Sequence, residues 1–104
     1  MRRGEVWWAR IGGPAGNRPV VLVGREESYR VRELVVVVPV STRIRSLPTE
    51  VRLGPEDGMS SECVVNADVV QSISKSRLDR RITALTPSKA RALDDALRFA
   101  LGLD

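Results

Sequence analysis

The sequence predicts a mainly β fold, a small and strongly curved antiparallel barrel with one C-terminal α-helix covering one side. Five or six short apolar runs, rich in Val and Leu, are separated by breaks that contain Gly, Pro or charged residues. Only the last segment has the three- and four-residue apolar spacing of an amphipathic helix. Because 104 residues can bury one core but not a second lobe, residues 1–104 are predicted to form a single domain.

The β-forming runs define the predicted strands. The first strand spans residues 5–11, and the glycine-rich residues 12–17 that follow are predicted to be loop. Residues 19–23 form the second strand. The continuous Leu and Val run at 34–38 predicts a third, central strand that is buried on both faces, with Pro39 at its end or in a bulge. Further strands are predicted at residues 49–53, 63–65 and 69–73.

The helical signals are confined to the C-terminal part of the chain. A short helical turn is predicted over residues 76–81. Thr86 is a good N-cap, Pro87 suits the first helical position, and apolar residues then recur at helical spacing as far as Leu101. Gly102 ends the helix. This helix is predicted to pack on the barrel and to take no part in chemistry.

The composition excludes several classes of catalyst and site. The chain has no histidine, so it has neither a Ser-His-Asp triad nor the paired imidazoles of many ribonucleases. Its single cysteine, Cys63, can form neither an internal disulfide nor a cysteine-cluster zinc site. We therefore expect no metal or other cofactor. No targeting segment or membrane-spanning run is recognisable, and a reduced cytoplasmic location is expected.

Positive charge is concentrated in the N-terminal half. Residues 1–54 contain ten Lys and Arg against five acidic residues, whereas residues 55–104 contain seven against eight. The net charge is +4. Such asymmetry favours a polyanionic partner, nucleic acid above all, although a merely solvated basic surface accounts for charge alone equally well.

RNA is a substrate that supplies its own nucleophile, the 2′-hydroxyl. A protein that cleaves it needs only to hold the reacting groups in line and to stabilise the charge on the phosphate oxygens. Arginine matches phosphate oxygens bidentately and stays protonated, so it suits that electrostatic role better than proton transfer.

An arginine and two hydroxyls stand at the ends of neighbouring predicted strands. Arg18 precedes Pro19 at the start of the second strand, and Ser41 and Thr42 follow the third. If these strands are antiparallel neighbours, the arginine lies beside the hydroxyls. Taken alone, each feature is also typical of a solvated strand flank or of turn chemistry. The next loop adds Arg43 and Arg45, which can follow a phosphate backbone or remain ordinary surface arginines.

Four ordered sequence blocks resemble the MazF/PemK toxins of bacterial toxin–antitoxin systems. The blocks are Arg-Gly-Glu-Val-Trp-Trp at 3–8, Asn-Arg-Pro-Val-Val-Leu-Val at 17–23, Val-Pro-Val-Ser-Thr at 38–42 and Leu-Pro-Thr-Glu-Val at 47–51. Similarity continues through 61–73 and the approach to the last helix. The resemblance implies an SH3-like barrel, as in MazF and CcdB, that forms a homodimer and cleaves single-stranded RNA without a metal. It further implies a 2′,3′-cyclic phosphate and a 5′-hydroxyl as products, and an antitoxin whose tail occupies the RNA groove. Because that groove is basic, the tail is expected to be acidic.

The resemblance also assigns roles to residues. The catalytic arginine before proline matches Arg18, and the catalytic threonine matches Ser41, with Thr42 as the alternative. The predicted RNA-binding residues flank these positions and are Asn17, Arg43, Arg45 and Pro48. The chain departs from the family in two ways. The loop before Arg18 lacks the usual Gly-Ser-Glu-Gln stretch and its acidic residue, and Arg10 replaces an acidic or amide residue, so no general base is identified.

Two other functions remain open from the sequence. A CcdB-like toxin would share the fold but poison DNA gyrase without cleaving anything, and a non-catalytic barrel would only bind RNA. The cleavage sequence, the class of target RNA and the identity of the antitoxin are also open. Trp7 and Trp8 are adjacent in a strand and therefore point to opposite faces, one to the core and the other to a dimer contact or groove rim; packing is favoured over base stacking.

Overall fold

Strands form most of the structure. The computed structural model describes residues 1–103, with only the backbone described at Ala15. Within these residues the strands are β1 Glu5–Gly12, β2 Gly16–Leu22, β3 Leu34–Ser41, β4 Glu50–Leu53, β5 Cys63–Asn66, β6 Gln71–Ser74 and β7 Leu78–Ala84. The helices are the single turn α1 Ser28–Val31 and the terminal α2 Pro87–Leu101, with 3-10 turns at Gly13–Ala15, Pro55–Asp57 and Lys75–Arg77.

The strands form one curled antiparallel sheet in the order β4-β5-β3-β2-β1-β7. β6 also pairs antiparallel with β3, along the N-terminal half of that strand. β3 is thus the central strand, with β2 on one side and β5 and β6 on the other. The predicted mainly β, antiparallel fold with a C-terminal helix is confirmed.

The sequence predicted that Pro39 marks either the end of the third strand or a bulge, and the structure shows that the strand does not end there. β3 continues through Pro39 to Ser41. On one side β3 pairs with β6 up to Val37 and with β5 from Val40 onward, so Pro39 lies in the gap between these two partners. Proline has no backbone N–H to donate, and a position between two partners tolerates that loss.

The hairpin between β1 and β2 is tighter than predicted. Gly12 pairs with Gly16 and Arg10 with Asn17, so residues 12, 16 and 17 belong to the strands and not to a loop. The connection is the single 3-10 turn Gly13–Ala15. The beginning of β2, which carries Arg18, is therefore fixed by pairing with β1.

The predicted helical turn over residues 76–81 is right only at residues 76 and 77. Only Lys75–Arg77 form a 3-10 turn, and β7 begins at Leu78 and pairs with β1. The register of this pair shifts twice, between Val6 and Trp7 and between Trp8 and Ala9. Such bulges change which face of the sheet the following side chains point to. The apolar residues of β7 therefore do not recur at every second position. The predicted strand at 69–73 is likewise displaced, to Gln71–Ser74.

The two faces of the sheet bury two separate clusters. Val21 and Val38 belong to the cluster under α2, which also contains Leu93 and Leu97 of that helix. Their chain neighbours Val20 and Val37 belong to the cluster on the opposite face, around Tyr29. Successive strand residues point to opposite faces, so β2 and β3 are buried on both sides, as predicted for the central strand.

The ends of α2 follow the sequence signals. The Thr86 hydroxyl accepts a hydrogen bond from the Lys89 N–H at 3.3 Å, Pro87 occupies the first turn, and Gly102 adopts a left-handed conformation with φ 69°. Within residues 1–103, no helix is long and apolar enough to span a membrane.

Candidate active site

Antiparallel pairing brings the start of β2 to the end of β3. Val20 pairs with Pro39 and Leu22 with Val37, and continuing this register places Arg18 opposite Ser41. A cavity of about 320 Å³ opens there. The described residues that line it are Trp8, Asn17, Arg18, Pro19, Val40, Ser41, Thr42, Met59, Ser60, Ser61 and Cys63. Arg18 and both candidate hydroxyl residues therefore border one cavity.

Two neighbouring cross-strand pairs of β1 and β2 contribute to this cavity. Trp8 pairs with Pro19, and the next residue, Ala9, pairs with Arg18. The side chains of successive pairs point to opposite faces of the sheet. Trp8, Pro19 and Arg18 all line the cavity, so residues from both faces of the sheet contribute to it.

The Ser41 hydroxyl has a defined orientation. Its Oγ accepts a hydrogen bond from the backbone N–H of Arg43 at 3.1 Å. A hydroxyl group has two acceptor lone pairs and one donor proton, so this contact leaves the Ser41 proton able to bond a phosphate oxygen. Thr42, one residue beyond the strand, is exposed at the rim of the cavity.

The predicted RNA-binding residues divide into two groups. Asn17 lines the cavity, whereas Arg43, Arg45 and Pro48 are exposed on the segment between β3 and β4, outside the lining. Glu50 holds this segment, because its Oε1 accepts the Arg45 N–H at 2.9 Å. Arg43, Arg45 and Pro48 can therefore contact an RNA strand only where that RNA extends beyond the cavity.

Two charged residues of β1, Arg10 and Glu5, form their contacts outside the cavity. Arg10 forms an ion pair with Asp79 at 2.7 Å and does not line the cavity. Burial raises the pKa of Glu5, but hydrogen bonds from the Trp7 indole and the Arg2 N–H and the charge of Arg81 outweigh it, so the pKa is lowered overall. Glu5 also lies outside the lining. The Arg10 guanidinium has no acceptor atom, and Glu5 is not placed to act as a base on a substrate in the cavity.

Sequence reasoning missed one wall of the cavity. Met59, Ser60 and Ser61 come from the segment before β5 and contribute an apolar side chain and two hydroxyls. Nothing in their local sequence distinguishes them from ordinary loop residues. Their place depends on β5 pairing with the end of β3, Ser41 with Val64, a contact between distant parts of the chain.

Comparison with known proteins identifies the family. A model of the PemK-like, MazF-like toxins of type II toxin–antitoxin systems matches residues 2–101. The chain belongs to this family. It is 38% identical over 104 residues to "Probable endoribonuclease MazF2" of Mycobacterium tuberculosis, a match that covers 98% of this chain and 99% of that protein.

Solved structures of toxins have the same fold. The structure of "Mycobacterium tuberculosis toxin MazF-mt6" superposes with a TM-score of 0.88 at 32% identity, covering 96% of this chain and 98% of that one. A mycobacterial "Endoribonuclease in complex with its cognate antitoxin" gives 0.89 at 32% identity, with 100% and 97% covered. The predicted resemblance to MazF/PemK toxins is confirmed.

The cavity of this MazF-like toxin contains a thiol but no carboxylate. Among the described residues that line it, none is Asp or Glu, and no group of three potential metal ligands is found in residues 1–103. Cys63 is only 3% exposed. Burial raises the pKa of its thiol, and Glu62 and Asp57 raise it further, so the thiol stays protonated and unreactive near neutral pH.

A buried turn precedes Met59, Ser60 and Ser61, which form one wall of the toxin's cavity. The Asp57 carboxylate, 8% exposed, accepts the Gly54 N–H at 3.0 Å and faces Lys89 of α2 at 3.8 Å. Gly58 then turns with φ 91° against Thr83 of β7. A Cβ at Gly58 would lie 2.6 Å from the Thr83 Oγ1. Only glycine satisfies both the backbone angle and this close approach.

Gly58→Ala is expected to destabilise the toxin by about 2–3 kcal/mol, through backbone strain and the clash with Thr83. Gly4→Ala is the matched control. Gly4 has the same φ of 91° but no atom within 4 Å of its added Cβ, so only the strain of about 1 kcal/mol applies. Thermal unfolding of the two variants measures the difference, and equal losses of Tm would show that Thr83 does not constrain the turn.

Proposed function

We propose that this chain is the toxin of a type II toxin–antitoxin pair and acts as a metal-independent endoribonuclease. It cleaves single-stranded RNA at short sequences and leaves a 2′,3′-cyclic phosphate and a 5′-hydroxyl. The observation that carries the proposal is the cavity shared by Arg18 and Ser41 in a chain of this family. A CcdB-like gyrase poison has no need of an arginine and a hydroxyl placed together.

The chemistry assigns a separate role to each group. The substrate 2′-hydroxyl attacks the adjacent phosphorus, the bond to the 5′-oxygen breaks, and negative charge builds on the non-bridging oxygens. Arg18 stabilises that charge through its fixed, planar set of donors. Ser41 donates a hydrogen bond to the same phosphate. Because the described lining holds no carboxylate, proton transfer relies on water and the substrate, and we expect slow turnover.

The proposal includes partners and location. RNA long enough to be recognised requires a groove that spans several nucleotides, and a symmetric homodimer supplies one by joining two basic faces. Arg43 and Arg45 would extend each cavity along that groove. The cognate antitoxin then blocks it with an acidic tail. We place the protein in the cytoplasm, where its RNA substrate lies.

The decisive experiment is incubation of the purified protein with total RNA in EDTA, followed by mapping of new 5′-hydroxyl ends. Cleavage is expected to continue at the same rate with EDTA as without it, because the proposed chemistry uses only side chains and substrate groups. Protein carrying Arg18→Ala controls for contaminating nuclease. Absence of new ends, together with inhibition of DNA gyrase supercoiling, would favour the CcdB-like function instead.

A further inference from the structure

The two adjacent tryptophans have different surroundings. The Trp7 indole N–H donates to Glu5 Oε1 at 3.0 Å, and Arg81 pairs with Glu5 Oε2 at 3.2 Å. Trp7 also packs against the buried cluster around Tyr29. Its polar atom and its ring therefore both have partners within the fold, so Trp7 is a structural residue.

Trp8 instead borders the cavity of Arg18 and Ser41. It follows Val6 on one face of β1, and Val6 is completely buried whereas Trp8 is half-buried. Trp8 is not part of the apolar cluster that contains Val6, and it lines the cavity instead. A large aromatic surface at the boundary between core and cavity is suited to contact a flat apolar ligand group.

Arg80 lies over this ring. It pairs with Trp8 across β1 and β7, and its guanidinium carbon is 5.4 Å from the ring centroid. Arg81 and Arg10 are held by Glu5 and Asp79, but Arg80 forms no ion pair with any carboxylate in the described part of the chain. Arg80 itself does not line the cavity, but its charge lies beside the Trp8 ring that does, and it is therefore available to an anionic ligand near that ring.

We propose that Trp8 and Arg80 form a platform for one nucleotide beside the scissile bond. The base stacks on the face of the Trp8 indole that Arg80 does not cover, and the Arg80 guanidinium contacts the phosphate of the same nucleotide. This inference rests on the proposed ribonuclease function. It reverses the sequence-based preference for packing, because that preference did not include the cavity or the position of Arg80.

The platform acts on binding and not on the chemical step. An aromatic ring can stack with any base, since every base has a π-face. Stacking therefore holds the RNA strand in place while Arg18 and Ser41 act on the phosphate. Loss of the platform is therefore expected to raise KM about tenfold and to leave kcat within about threefold. Loss of Arg80 is also expected to weaken the salt dependence of RNA binding, because one phosphate contact disappears.

Fluorescence can separate the two tryptophans, because the chain has only these two. The probe is a 2′-O-methyl oligoribonucleotide that spans a mapped cleavage site and cannot be cleaved. In Trp7→Phe protein the remaining emission comes from Trp8 and is expected to be quenched by the probe. In Trp8→Phe protein the emission of Trp7 is expected to stay unchanged. Equal quenching in both variants, or none in Trp7→Phe, would overturn the proposal.

Steady-state kinetics provide the second readout. Trp8→Leu and Arg80→Gln are expected to raise KM, whereas the matched Arg81→Gln, one residue along β7, is expected to leave it unchanged. Arg80 is exposed, so its variant tests the platform even if Trp8→Leu does not fold. A wild-type protein that cleaves no RNA would refute the proposed function itself. A wild-type protein that cleaves RNA, with KM unchanged in Arg80→Gln, would refute only the platform.

Discussion

Arg18→Ala is expected to lower the single-turnover rate of RNA cleavage by a factor of about 10²–10³. Loss of one charged donor to a transition state typically costs about 3–4 kcal/mol. Arg18 lines the cavity opposite Ser41, where charge is proposed to develop on the phosphate. Arg18→Lys is expected to restore little, because lysine keeps the charge but lacks the planar pair of donors.

The control is Arg91→Ala, which removes one exposed positive charge from α2, outside the cavity lining. It is expected to cleave at the wild-type rate, and the comparison separates the position of Arg18 from the effect of net charge. Because Arg18 is half-buried, thermal unfolding of both variants checks that the fold survives. Wild-type cleavage by Arg18→Ala would remove Arg18 from the active site.

The core strands could be predicted from local patterns, and the place of Arg18 beside Ser41 followed from the expected antiparallel pairing of two such strands. Val51 and Leu53 are buried while Arg52 is exposed, as the alternation in β4 predicted. The unbroken apolar run of β3 indicated burial on both faces, and a central strand must have neighbours. Once β2 and β3 are antiparallel neighbours, the start of one lies at the end of the other.

The parts that could not be predicted depend on contacts between distant segments. β7 is an edge strand whose two register shifts against β1 remove the alternating pattern, so its charged residues resembled a helical turn. Ser60 and Ser61 reach the cavity only because β5 pairs with β3 and Gly58 packs against Thr83. Arg10 is paired with Asp79 of β7, which is distant from it in the chain. None of these contacts has a signal in the local sequence.

Ser41→Ala is expected to reduce the single-turnover rate about 10–100-fold, and Thr42→Ala less than threefold. Hydrogen bonds to charged groups contribute about 1.5–3 kcal/mol, and only the Ser41 hydroxyl is expected to make one with the phosphate. Ser41 is the last residue of β3, and its position is fixed by Val64 on one side and the register with β2 on the other. Thr42 lies beyond the strand.

The order of these two effects decides which hydroxyl acts, because both residues line the cavity but only Ser41 lies in the strand whose register continues to Arg18. Ser41→Thr is the informative companion, since it keeps the hydroxyl and adds one methyl group; it is expected to retain most of the activity. A larger loss in Thr42→Ala than in Ser41→Ala would transfer the role to Thr42 and would mean that the chain turns at the strand end before presenting its hydroxyl. Equal small losses would leave Arg18, the one charged residue in the described lining of the cavity, as the main group that stabilises the phosphate.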